Sequence, residues 1–164
     1  MMSHMSAIVL DVALAVAAFV AMEGVAWFTH KYVMHGALWV WHRSHHEPRT
    51  GLFELNDLFA VVFAAPAIVA IWLGVHGTPP MLPVGLGITA YGAAYSMFHD
   101  GLVHRRYPVP FDARARPWKR LAQAHRIHHA VATRRGCVSF GFLWVRPARE
   151  LKAQLAQARR AARA

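Results

Sequence analysis

Ten of the chain's 12 histidines fall into four short clusters that read as two copies of one pattern. The first copy is H-K-Y-V-M-H (His30, His35) followed by H-R-S-H-H (His42, His45, His46). The second is H-D-G-L-V-H (His99, His104) followed by H-R-I-H-H (His125, His128, His129). Each copy is H-x-x-x-x-H and then H-x-x-H-H, five imidazoles in all. Imidazole is the commonest metal ligand and suits iron, zinc, copper and nickel. Five nitrogens nearly fill one octahedral ion, so two copies point to two metals, with no catalytic group expected beyond the ligands.

The spacing carries geometry. His42, His45 and His46 stand at i, i+3 and i+4, which places them on one helical face, and His125, His128 and His129 repeat that arrangement. The H-x-x-x-x-H pairs differ, because five residues rotate a regular helix by about 140°. Each pair must straddle a helix end or a local distortion, and Gly36 and Gly101 sit where a break is cheap. A buffering or interfacial role accounts for a lone histidine but not for ten in a duplicated register.

The elements that position these clusters follow from composition. A chain of 164 residues makes one domain, expected over 1–164 with residues 1–7 and 151–164 as peripheral ends. Hydrophobic residues make up 56%, yet the formal charge is +10 and the mean hydropathy +0.27. That combination fits a small membrane protein with charged ends. All 18 Lys and Arg lie at Lys31 or beyond, and none lies between Arg49 and Arg105. Nucleic-acid binding fits a pI near 11.1 but not this confinement of charge, so no nucleic-acid partner is expected. The single cysteine, Cys137, allows no internal disulfide, iron–sulfur set or C-x-x-C-H haem attachment, and is expected to be a packing residue. With no dinucleotide fingerprint either, electrons for redox chemistry would have to come from another protein.

Ile8 to Phe28 is almost wholly apolar and, as a helix, about 31 Å long, enough to span a hydrocarbon core. No basic stretch precedes it and cleavage after it would cut beside His30, so a retained helix is expected rather than a signal peptide. Leu58 to Val75 is the second expected span, with Asn56 and Asp57 as caps and Pro66 tolerated inside it. Met81 to Phe98 is the third, carrying Gly85, Thr89, Gly92 and Ser96 as a small-residue face for close packing. The fold class expected is all-α: a polytopic integral membrane protein with three to four membrane helices and a cytoplasmic histidine-rich helical cap. By the positive-inside rule the N-terminus and the 76–80 turn face out, and the clusters and C-terminus face the cytoplasm. Beyond His104 come a linker (Arg106 to Pro117), a helix from Trp118 to about Ala130, and an apolar stretch, Cys137 to Val145. That stretch is too short to span and is expected in the interface or over the site. Glu150 to Ala164 reads as a basic amphipathic helix with Leu151 and Leu155 on one face, suited to anionic headgroups or protein.

Several residues carry competing readings. Glu23, inside the first span, is a candidate to accept a hydrogen bond from a ligand histidine or to pair with another polar group. Asp100 is a candidate to orient a histidine, Asn56 and Asp57 are better read as caps, and Glu47 flanks a cluster. Trp27, Tyr32, Trp39, Trp41, Tyr95, Phe98, Phe140 and Trp144 are candidates to line a substrate channel, against an aromatic belt at the interface. The block of Arg105, Arg106, Arg114, Arg116, Lys119, Arg120 and Arg126 is a positive-inside signal and a candidate docking face for an acidic ferredoxin.

The clusters and their flanks (M-E-G-V-A-W-F, W-H-R-S-H-H-E-P, L-N-D-L-F-A-V-V-F-A-A-P, F-H-D-G-L-V-H-R-R and A-H-R-I-H-H-A) resemble the integral-membrane fatty acid hydroxylase and sterol desaturase superfamily. They are most similar to its bacterial β-carotene 3-hydroxylases, over roughly Glu23 to Val145. The resemblance implies a non-haem di-iron centre on the ten clustered histidines, dioxygen as co-substrate, and reduced ferredoxin or an equivalent donor. It also implies hydroxylation of a β-ionone ring at carbon 3, taking β-carotene to β-cryptoxanthin and zeaxanthin, and canthaxanthin towards astaxanthin, at the bacterial inner membrane. The carotenoid would enter from the bilayer and its lipids. Zinc is a frequent occupant of such sites in purified samples. Alternatives are a sterol or fatty-acyl hydroxylase or desaturase of the same superfamily, and a histidine-rich metal transporter, which would place its ligands near the bilayer midplane.

Overall fold

The computed structural model describes residues 4–49 and 51–162, so the outermost ends of the expected domain lie outside the described residues. Every regular element among the described residues is a helix. The order is α1 (His4–Phe28), a first π-helical segment (Thr29–Ala37), α2 (Trp39–His46), a 3-10 turn (Leu55–Asp57) and α3 (Leu58–Val75). Then come α4 (Met81–Tyr95), a second π-helical segment (Ser96–Val103), α5 (Trp118–His128) and α6 (Ala148–Ala161).

Among the described residues, two helices are long and apolar enough to cross a membrane: α1 with its π-helical extension, His4–Ala37, and the 3-10 turn with α3, Leu55–Val75. Both are apolar all round rather than on one stripe, as suits a helix solvated by lipid. In α1 only Met22 is buried. Helix α3 begins and ends where the sequence places it and runs unbroken across Pro66. The third expected span is α-helical over only 15 residues and continues as the second π-helical segment.

Helix α4 packs between α1 and α3. The small-residue face expected on it divides into two uses. A Cβ on Gly85 would lie 2.7 Å from Ile71 and 2.9 Å from the Ala67 carbonyl, so Gly85 sets the approach to α3. Contact with α1 falls instead to Gly87, over Ala15 and Ala18. Thr89, Gly92 and Ser96 line a cavity, and a Cβ on Gly92 would meet nothing within 4 Å. Residue size predicted closeness, but the same small side chains also leave space.

Beyond the spans, α5 and α6 share a core of Ala124, Ile127, Val145, Leu151 and Leu155. Leu151 and Leu155 are thus committed to the chain's own α5, so the apolar face of α6 makes the protein contact that was one of its two expected roles.

Candidate metal centre

The five-residue steps are accommodated by winding rather than by a break alone. In a π-helix the hydrogen bond runs i→i+5, so residues five apart stack. His104 N–H donates to the His99 carbonyl at 3.0 Å, which brings the H-x-x-x-x-H pair itself together. In the first segment Leu38 N–H donates to Val33 at 2.9 Å, and Gly36 (φ −114°, ψ −120°) leaves helical geometry to turn the chain into α2. Gly101 is not a break. It lies within the second π-helical segment, where a Cβ would strike Val109 and sit 3.0 Å from Tyr107.

The ten rings converge, and the two sequence copies interleave. His30, His35, His42 and His128 bring one ring nitrogen each within 4.8 Å of one another, and His45, His99, His104 and His125 do the same. The middle histidine of each H-x-x-H-H therefore crosses to the other copy's group. His46 reaches the first group, its Nε2 3.2 Å from that of His42. His129 packs its ring on His45, His104 and His125 of the second group. His46 and His129 stack on each other between the groups, 4.4 Å apart at 23°.

Both groups have the chemistry of a cation site. The outward Nδ1 of His30, His35, His46 and His128 faces the carbonyls of Phe140, Arg134, Val131 and Val138 respectively, at 2.9–3.1 Å. His42 donates to Asn56 Oδ1 (2.7 Å), His45 to Glu54 (3.2 Å) and His99 to Asp100 (2.8 Å). These oxygens only accept, so Nδ1 carries the proton and Nε2 presents a bare lone pair. Yet Nε2 atoms face one another at 3.1 Å for His30–His128, His35–His128 and His45–His99. Two lone pairs cannot hydrogen-bond. Adjacent ligands of an octahedral ion with bonds near 2.1 Å stand about 3.0 Å apart, so a cation fits the space between them. His129 Nε2 is buried with no hydrogen-bond partner among the described residues.

Burial is the largest cause of lowered basicity at His42, His45, His46, His104, His125, His128 and His129. It brings His42 and His104 down to about 3, His46 to about 4 and His129 to about 2, with repulsion between rings adding to it. His45, His125 and His128 are driven well below the usual histidine value for the same reasons. These seven rings are neutral at pH 7, the form that binds metal. Cys137 also approaches His46 and His128. Burial raises its thiol to about 11, and both histidines commit their nitrogens elsewhere, so it adds no ready ligand.

The flanking polar residues depart from expectation in part. Asn56 does not cap α3; it holds His42. Glu54, which sequence reading passed over, holds His45 and forms a capping box with Asp57. Asp57 is gripped by both terminal nitrogens of Arg106 at 2.6 and 2.7 Å. Arg106 is therefore partly buried and committed to Asp57, while Arg120, though exposed, bonds the Val145 carbonyl. Glu47 pairs only with Arg43 at the surface. Among the described residues Glu23 takes no hydrogen bond from a histidine: it accepts the Tyr91 hydroxyl and the backbone N–H groups of Phe142, Leu143 and Trp144. The Cys137–Val145 stretch covers the site, as one of its two expected placements had it.

A cavity of about 420 Å³ lies between α1 and α3 with α4 as its floor. Met22, Ala26, His30 and Met34 form one wall at four-residue spacing, and Phe59 and Phe63 face them. Ala64 and Ile68 line it while remaining exposed, so it opens sideways from the helix bundle. Its inner end carries His30, Asn56, Asp57 and Asp100 under Phe140 and Phe142. Of the channel candidates, Tyr95 and Phe140 line it. Trp27 and Tyr32 lie outside with Lys31 over their rings, and Phe98 stacks on Trp118 and meets Phe111 at a tilt. Trp39 packs on His35, Trp41 on Phe59, and Trp144 is exposed. Aromatic type and proximity in sequence do not reveal which side of a helix meets the cavity.

Comparison with known proteins shows which family the chain belongs to. The chain is 56% identical over 136 residues to a β-carotene hydroxylase of Pseudescherichia vulneris, covering 83% of this chain and 77% of that one. It is 45% identical over 143 residues to a β-carotene hydroxylase of Paracoccus sp. (strain PC1), covering 87% and 88%. It is 48% identical over 122 residues to a chloroplastic β-carotene 3-hydroxylase of Gentiana lutea, covering 72% of this chain and 38% of that one. No solved structure gives a significant match. The family model described as fatty acid hydroxylase matches residues 15–145, and the chain belongs to that family.

Proposed function

We propose that this chain is an integral-membrane, dioxygen-dependent hydroxylase acting at carbon 3 of carotenoid β-ionone rings. It converts β-carotene to β-cryptoxanthin and zeaxanthin, and canthaxanthin towards astaxanthin, with electrons from reduced ferredoxin or an equivalent donor. The observation that carries this reading is the cavity, lined both by exposed Ala64 and Ile68 on the apolar flank of the bundle and by His30 of the first histidine group. The names of the similar proteins support the substrate class.

Two irons held by the ten clustered histidines would supply the oxidising power to split dioxygen and functionalise an unactivated ring C–H bond. The chain's own residues do the rest. Met22, Ala26, Met34, Phe59 and Phe63 enclose an apolar ring and keep water from it. Thr89 and Gly92 leave room on the floor for the polyene, most of which stays in lipid. The Nδ1–H bonds fix ring orientation and keep the Nε2 lone pairs directed inward. In the membrane, α1, α3 and α4 span with the N-terminus outside; both histidine groups, α5 and α6 face the cytoplasm.

Pigment analysis in a bacterial host that accumulates β-carotene tests the proposal, with a His45→Ala/His128→Ala chain beside the wild type. New 3-hydroxylated carotenoid from the wild type alone is expected. Unchanged β-carotene, with folded protein in the membrane and a competent electron donor, would overturn the substrate assignment.

A further inference from the structure

We propose that Glu23 is a positioning residue that acts through the Phe140–Trp144 segment on one of the two histidine groups. The inference rests on the proposed metal centre and concerns a residue that binds no metal itself.

A carboxylate inside an apolar helix is costly unless its oxygens are fully engaged. Glu23 meets that demand with main chain from the far end of the sequence. Phe142 N–H donates to Oε1 at 2.8 Å, Leu143 N–H lies 3.0 Å from both oxygens, and Trp144 N–H donates to Oε1 at 3.0 Å. The Tyr91 hydroxyl adds a bond of 2.8 Å to Oε2. Three successive amides closing on one anion form a nest. The nest demands a tight turn, and Gly141 provides it: a Cβ there would lie 2.5 Å from the Trp144 carbonyl and 3.5 Å from Glu23 Oε1.

Immediately before the nest, two carbonyls of the same segment face the cluster. Phe140 accepts the Nδ1–H of His30 and Val138 that of His128, each at 3.1 Å. Ser139 between them takes a left-handed φ of 67°, which persists only where the flanking chain is tied down. One residue separates Phe140 from the first amide bound by Glu23, so loosening the nest shifts both carbonyls. His30 and His128 belong to one group, and their Nε2 atoms meet at 3.1 Å. The second group draws its outward partners from Glu54 and Asp100, which lie elsewhere in the chain. Glu23 should therefore govern one metal and leave the other.

The test uses the full chain in detergent, loaded anaerobically with cobalt(II), as wild type, Glu23→Gln and Gly141→Ala. Gln keeps the size but replaces one acceptor with a donor facing amides; Gly141→Ala disturbs the same turn from the other side. Wild type is expected to hold two cobalt ions. Both variants should keep one and release the other to a chelator at least about tenfold faster. Amide exchange over 138–144 in the metal-free variants should rise by a similar factor. Variants that keep both ions at wild-type release rates would overturn the proposal. So would release of both ions in parallel, which would mark general loosening of the fold. A wild type that binds no cobalt would instead sink the metal centre on which the proposal rests.

Discussion

Asn56 separates two readings of the same residue, and substitutions there test which one governs the site. Its Oδ1 takes the Nδ1–H of His42 at 2.7 Å, while its own N–H is held by Ser44 Oγ at 3.1 Å. His42 is only 3% exposed, so water cannot replace the lost acceptor. In Asn56→Leu the buried Nδ1–H loses its partner, at a cost of about 1–3 kcal/mol. Removal of a partner behind a ligand histidine typically weakens metal binding by about 10–100-fold, or about 1.4–2.8 kcal/mol, so the two estimates agree. Asn56→Ser would preserve a good helix cap but is too short to reach His42; Asn56→Asp keeps an acceptor at the same distance. Competition between the protein and a chelator for cobalt(II) measures the effect. Serine should bind as weakly as leucine, and aspartate at least as tightly as asparagine. Wild-type affinity in Asn56→Ser would refute the argument and return Asn56 to a capping role.

Two further outcomes follow from the geometry. The metal-free protein should lose stability on acidification below the unfolded histidine value near 6.5, because the unfolded chain takes up protons that the buried rings refuse. Each such ring contributes a slope of about 1.4 kcal/mol per pH unit until the pH reaches its folded value, about 4 for His46 and about 3 for His42 and His104. Above 6.5 both states are neutral and the slope vanishes; thermal melting against pH reads this directly, and a flat profile from 6.5 to 5 would contradict it. The glycines of α4 should also differ. Gly85→Ala places a Cβ 2.7 Å from Ile71 and should lower the melting temperature by several degrees, about 1–3 kcal/mol of overpacking. Gly92→Ala meets nothing within 4 Å and should melt as the wild type; equal effects would mean that the two faces of α4 are misassigned.

Much of this protein is legible in its sequence because the relevant signals are local. Continuous apolarity delimits Leu58 to Val75, and a duplicated histidine register announces two metal groups. The five-residue step requires a departure from α-helical winding, and both π-helical segments lie at those steps. Spacing also puts His42, His45 and His46 on a common side of α2. It could not show that His45 leaves its own copy for His99 while His128 crosses to His30, pairings that span 54 and 98 residues. Nor could it show that Asn56 serves His42 rather than α3, or that Glu23 holds main chain more than a hundred residues away. Sequence spacing sets the direction a side chain leaves its own element. Which atom it meets depends on how separate elements dock: the first histidine group needs the first π-helical segment, α2 and α5 brought together, and the second needs α2, the end of the second π-helical segment and α5.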